Sequence, residues 1–115
     1  MHGNVFHFSE LLQQSAQNYL EFVRVSSFSV GIYVLDCGAE DHQKPHNEDE
    51  VYYVVSGKAK MRMESEGRPS SFYVGTGTII YMPAHAPHTF YDISERLAVL
   101  VFFGPKAAAQ HPANG

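Results

Sequence analysis

The sequence has a single cysteine, Cys37, so no disulfide can form within the chain. That suits a reducing compartment, and a cytoplasmic location is the expectation. Basic residues are also few. Eight Lys and Arg stand against twelve Asp and Glu, for a net charge of -4, and they form no run. Phosphate contacts need clustered cations, so no nucleic-acid partner is expected. No apolar run approaches the ~18 residues of a membrane span, so no membrane partner is expected either. The first residues, Met1-His-Gly-Asn-Val-Phe-His-Phe, contain neither the basic segment nor the apolar stretch of a cleaved leader. The chain is nevertheless not disordered. With 44% apolar and 17% charged residues over 115 positions, it can bury a real core as one domain, residues 1–115.

One segment has helical character. In Phe8-Ser-Glu-Leu-Leu-Gln-Gln-Ser-Ala-Gln, Ser9 is placed to cap, Glu10 favours the first turn, and Leu11, Leu12 and Ala16 form an apolar stripe. From Tyr19 the pattern changes to short β-branched and aromatic runs: 20–25, 28–35, 50–56, 58–64, 72–74, 78–82, 88–92 and 97–103. Gly and Pro punctuate them. In Lys58-Ala-Lys-Met-Arg-Met-Glu the charged residues alternate with Ala59, Met61 and Met63, which predicts a strand with one solvated and one buried face. About eight short strands at regular spacing predict an all-β sandwich or barrel over about 19–103, with residues 104–115 as a partly disordered tail.

The chemistry concentrates in His42–Gly57 and in Pro83-Ala-His-Ala-Pro-His-Thr-Phe. His46 and Glu50 are four apart, so in a strand they share a face, together with Tyr52 and Val54. An imidazole and a carboxylate that face inward need a partner, because an unpaired buried charge is costly. A divalent metal supplies one. His88 opens a strand after a proline turn and offers a third ligand. Two His and one carboxylate with open positions form a facial triad typical of non-haem iron. The same residues also fit a surface loop carrying acidic groups and an ordinary histidine.

Two motifs in order resemble the cupin superfamily. The first reads Gly, five residues, His, one residue, His, three or four residues, Glu, six residues, Gly. Gly38, His46, Glu50 and Gly57 fill it. The second reads Gly, five residues, Pro, one residue, Gly, two residues, His, three residues, Asn, and Gly77, Pro83 and His88 fit. The resemblance covers roughly 28–103. It implies a double-stranded β-helix, or jelly-roll barrel, after the short N-terminal helix. It further implies one divalent transition metal (Fe, Zn, Mn or Ni) in the barrel mouth and a small-molecule ligand.

Three positions depart from the motifs: Lys44 replaces a histidine, His85 a glycine and Asp92 an asparagine. Lys44 cannot ligate while protonated. Either it faces the site, or Pro45 turns it outward and Gln43 or His42 becomes the fourth ligand. His85 is a candidate acid or base on the rim, or a plain loop histidine. Tyr52, in phase with Glu50, is a candidate donor to ligand or metal shell, or a core tyrosine. Cys37 has no visible basic partner and is read as structural. The readings that follow are a metal-dependent enzyme of dioxygenase or isomerase type, a non-catalytic ligand-binding or sensor module, and a metal-free barrel using His and Tyr as acid and base. A homodimer is expected, since small barrels have edges to hide and 20–25 and 28–35 carry more apolar surface than one core needs.

Overall fold

The computed structural model describes residues 3–15 and 19–105. Ala16 of the expected helical stripe and the tail beyond residue 105 lie outside them. The elements in order are α1 (Phe8–Gln14), β1 (Tyr19–Arg24), β2 (Ser29–Leu35), β3 (Glu50–Ser65), β4 (Arg68–Gly75), β5 (Ile79–Met82) and β6 (His88–Phe103). All strand pairs are antiparallel. The sheet order is β1-β2-β6-β3-β4, with β5 on the same edge of β3 as β4. The result is the expected jelly-roll barrel with a short helix outside it.

Among the described residues the expected eight strands are six. Runs 50–56 and 58–64 are one strand, β3, and runs 88–92 and 97–103 are one strand, β6. The register between the two shifts repeatedly from Val54 to Lys60. Gly57 sits in that bend with φ +101, and Asp92 sits opposite with φ +48. A Cβ on Gly57 would collide with the Arg96 carbonyl. Gly57 therefore bends a continuous strand and does not end it, because a bulge lets the ladder resume on the far side. These bends wrap one long ribbon into a barrel.

Alternation then decides what goes inside. Tyr52, Val54, Ala59 and Met61 of β3 point inward with Phe90, Leu97, Val99 and Val101 of β6, all nearly or wholly buried. Lys58, Lys60 and Arg62 face outward, as the alternation predicted. A second, smaller cluster lies outside the sheet, where Leu11 of α1 packs on Ile32 and Val34, flanked by Phe8, Leu12, Leu20, Phe22 and Leu100. Part of the surplus apolar surface of β1 and β2, expected to meet a second copy, is covered here by the chain's own helix, while Tyr19 and Phe28 stay exposed. That helix starts at Phe8 with His7 at the N-cap and no side-chain cap bond. Ser9 falls inside the first turn and does not cap it.

A candidate metal centre at the barrel mouth

β3 begins at Glu50 and β6 begins at His88, and both side chains turn into the barrel. His46 precedes β3 in a loop laced to the 83–87 loop. The His85 N–H donates to the His46 carbonyl at 2.7 Å, and the Ala84 N–H donates to Asp49 Oδ1 at 2.8 Å. His46 Nδ1 lies 3.2 Å from Glu50 Oε2, and His88 Nε2 lies 3.7 Å from the same oxygen. The three potential ligand atoms lie within 4.8 Å of one another. The triad thus comes together, but not by the strand spacing expected for His46 and Glu50: His46 lies in the loop before β3, and the course of that loop turns its ring to Glu50.

The proton arrangement shows what this cluster lacks. His88 Nδ1 is 2.8 Å from the Ala86 carbonyl, which only accepts, so Nδ1 carries the proton. When the ring is neutral, as a metal ligand must be, Nε2 then presents a lone pair. Gln43 Nε2 donates to Asp41 Oδ2 at 2.7 Å, and a carboxylate cannot donate back, so Gln43 Oε1 faces the cluster. That oxygen stands 3.2 Å from His88 Nε2, two acceptors with no proton between them. Tyr52 is 2.9 Å from each and has one proton for both. Glu50 is 2% exposed, and its Oε1 has no hydrogen-bond partner. A buried carboxylate with an orphaned oxygen, ringed by lone pairs, fits a divalent cation in chemistry and in spacing.

Among the candidates for the fourth place, the structure brings Gln43 to the cluster and not His42. His42 is exposed, 3.5 Å from Glu40. Lys44 is exposed as well and makes none of the ion pairs among the described residues. Asp92, at the second motif's last position, faces solvent 3.4 Å from Lys60. His85 does not join the cluster. It takes a left-handed conformation, φ +69, on the exposed loop, and its recorded contact is the backbone bond to His46. Tyr52 is fully buried at the centre. Burial first, and then the Glu50 charge, push its pKa well above the ordinary tyrosine value, so it serves as a donor. Cys37 is exposed, with Sγ 3.4 Å from the Ser94 carbonyl.

A cavity of about 200 Å³ opens onto this cluster. Gln43, His46, Glu50 and Tyr52 form its polar wall; Tyr19, Tyr33, Val101 and Phe103 form the other. Phe103 meets the His46 ring edge-on at 5.0 Å and Tyr19 at 6.3 Å. Tyr19 reaches this wall because Gly31, below it on β2, has no Cβ to occupy the space of its ring and hydroxyl. Burial raises the Tyr19 pKa to about 12 and, together with Asp41, raises that of Tyr33.

Asp41, to which the sequence assigned no role, is a hub of the site. Its carboxylate accepts from the Tyr33 hydroxyl, the Gln43 N–H at 3.1 Å, Gln43 Nε2 at 2.7 Å and the Phe90 N–H at 2.8 Å. The signal available was an acidic residue two before Gln43, but nothing local marks which way it turns.

The chain matches the cupin domain family over residues 31–104 and belongs to that family. An uncharacterized protein of Streptomyces coelicolor is 46% identical over 103 residues, 87% of this chain and 94% of that protein. Among solved structures, a Streptococcus pyogenes protein of unknown function superposes with TM-score 0.66 at 23% identity, covering 94% of this chain and 92% of that one. An oxalate decarboxylase from Bacillus subtilis gives TM-score 0.66 at 26% identity over 74% of this chain. A DMSP lyase from Ruegeria pomeroyi gives 0.64 at 20% identity over 75%. The chain spans only 22% of the decarboxylase and 42% of the lyase. No described helix is long and apolar enough to cross a membrane.

Proposed function

We propose that this cupin holds one divalent transition metal through His46, Glu50, His88 and Gln43, and acts on a small organic molecule bound in the adjoining cavity. The observation that carries the metal is Glu50, a buried carboxylate whose Oε1 has no partner while the facing groups offer lone pairs. Bound there, the metal would supply Lewis-acid polarisation, or in the case of iron adjacent positions for substrate and dioxygen. The protein's own part is to orient the ligands through Ala86, Asp41 and Tyr52, and to exclude bulk water with the Tyr19, Tyr33 and Phe103 rings.

The cavity also narrows the ligand class. It falls below the roughly 300–1,000 Å³ of sites for drug-sized ligands. Among the described residues, no Lys or Arg lines it. A dication offset by one carboxylate keeps one positive charge, which favours a small monoanion such as a phenolate, enolate or carboxylate. Dioxygenase- or isomerase-like chemistry on such a molecule is the reading we favour. The deciding experiment is metal analysis of protein purified without a metal-chelating column, followed by oxygen consumption with small phenols and diketones. Protein that contains no metal and takes up none sinks the proposal.

One observation favours a second reading, a ligand carrier or sensor. The ionisable residues lining the cavity apart from the proposed ligands are Tyr19, Tyr33 and Tyr52, and all three are held protonated. Among the described residues, no free base therefore stands ready at neutral pH. Ligand binding without turnover, in metal-loaded protein, would select this reading.

The expected homodimer also remains a proposal, now through a different surface. Val51 and Tyr53 of β3, Ile79 and Tyr81 of β5 and Phe102 of β6 are exposed on the outer face, beside the part that α1 covers. Such an uncharged apolar face is suited to an isologous contact with its own copy.

A further inference from the structure

We propose that Asp41 is the positioning residue of this centre: its carboxylate forces the Gln43 amide to offer oxygen, not NH2, to the metal. The inference rests on the metal reading above. A glutamine amide has nearly the same shape in either orientation, so packing alone does not choose between them. Within the cluster, the local preference runs the other way. Flipping the amide would point an N–H at the bare His88 Nε2, now 3.2 Å from Gln43 Oε1, and turn two facing acceptors into a hydrogen bond. That bond would quench the lone pair the metal needs.

Asp41 blocks the flip, because a flipped amide would aim its oxygen at Asp41 Oδ2, which now accepts from Gln43 Nε2 at 2.7 Å. Two acceptors, one of them charged, would then meet. Asp41 cannot turn aside, since it is pinned from two strands. The Phe90 N–H of β6 donates to the same Oδ2 at 2.8 Å, and the Tyr33 hydroxyl of β2 donates to Oδ1. The Gln43 N–H closes an Asx-type turn on Oδ1 at 3.1 Å. The carboxylate is fully used by donors, so it tolerates only the donor end of Gln43. Asp41 thus relates to Gln43 as the Ala86 carbonyl relates to His88: an outer partner that settles which atom faces the centre.

The test is a double-mutant cycle on Zn²⁺ affinity, measured by competition with a chromophoric chelator. Asp41→Ala should weaken zinc by about 10–100-fold, the range for a lost outer partner, and Gln43→Ala, which removes a ligand, by at least as much. The double variant should bind no more weakly than Gln43→Ala alone, because Asp41 acts through Gln43. An equal loss from Asp41→Ala in both backgrounds makes it general loop support and overturns the proposal. So does unchanged affinity in either single variant. Should Asp41→Ala not fold, the native protein decides. The Gln43 side-chain NH2, assigned by its absence in Gln43→Ala, should give an NOE to the Phe90 N–H, which shares Asp41 Oδ2 with it, with and without zinc. An NH2 that gives no such NOE overturns the proposal. Failure of native protein to bind zinc or any other divalent metal would instead overturn the metal reading beneath it, and the NH2 measurement still reports the amide orientation separately.

Discussion

His88 Nε2 and Gln43 Oε1 stand 3.2 Å apart, and with the ring neutral and its proton on Nδ1 neither can donate to the other. They come from a strand and a loop 45 positions apart in the chain. Two lone-pair atoms this close to each other and to a buried carboxylate describe a place for a cation better than they describe a hydrophobic core. The predictions below follow from that arrangement and from the strands that hold it.

His88→Ala should lose metal by more than the roughly 10–100-fold typical of an outer partner, since it removes a ligand itself. His42→Ala should change nothing, because that ring is exposed and pairs with Glu40. Metal content per chain after dialysis checks both. Full occupancy in His88→Ala would place the metal elsewhere.

Glu50→Gln should separate the two costs of the carboxylate. Without metal, the side chain is a buried charge with an oxygen unsatisfied, so the neutral amide should leave the metal-free fold more stable by about 1–3 kcal/mol. With saturating metal the order should reverse, because ligand at 100 times its Kd stabilises the native protein by about 2.7 kcal/mol and the variant should not bind it. Thermal melts of both proteins, with and without metal, give the four values. A variant that melts lower in both conditions refutes this account.

Lys44→Ala and Lys44→His should each bind metal within about twofold of the native protein. Lys44 is exposed, and Gln43 is the neighbour whose side chain reaches the cluster. Tighter binding in Lys44→His would mean that the loop can rotate the position inward. A loss of metal in Lys44→Ala would give this lysine a role in ordering the loop that its exposed position does not suggest.

Gly57→Ala should destabilise the fold by about 2–4 kcal/mol, through a left-handed backbone and a clash with the Arg96 carbonyl. Denaturant melts should show the lower midpoint. Gly38→Ala is the comparison, because it shares a positive φ but has no atom within 4 Å of the added Cβ. It should cost only the backbone strain, and equal losses would show that the close approach contributes nothing.

Ile79→Lys should yield a monomer if the outer face of β3, β5 and β6 joins two copies, because a charge would be buried at the contact. Light scattering at micromolar concentration compares it with the native chain. Native protein that is itself monomeric removes the dimer, and a dimeric Ile79→Lys moves the contact off this face.

Much of the fold was legible because strand alternation is local. Ala59, Met61 and Met63 had to face one way and Lys58, Lys60 and Arg62 the other, whatever the strands paired with. His46 and Glu50 were expected on one face for the same reason, but His46 lies in the loop before β3 and meets Glu50 through that loop; the two motifs supplied His88. Gly57 could not be read this way. A glycine between two apolar runs marks a turn or a bend equally well, and only the approach of the Arg96 carbonyl makes it a bend. The β1–β2 surface also depended on a distant element, since an apolar outer face does not say whether a helix or a second copy covers it.

What the sequence by itself determined, then, is which residue types lie at which spacing: an all-β alternation, a carboxylate and two imidazoles in motif order, a lysine that cannot ligate. Tertiary structure decided direction. It turned His42 and Lys44 outward and Gln43 inward, left His85 on an exposed loop, and brought Asp41 to the Phe90 N–H across 49 positions of chain. The physical reason is that a strand sets the side of each side chain through its own backbone, whereas a loop borrows its geometry from the partners that satisfy its polar groups. In the loop around Gln43 those partners come from β2 and β6, and nothing in the neighbouring residues names them.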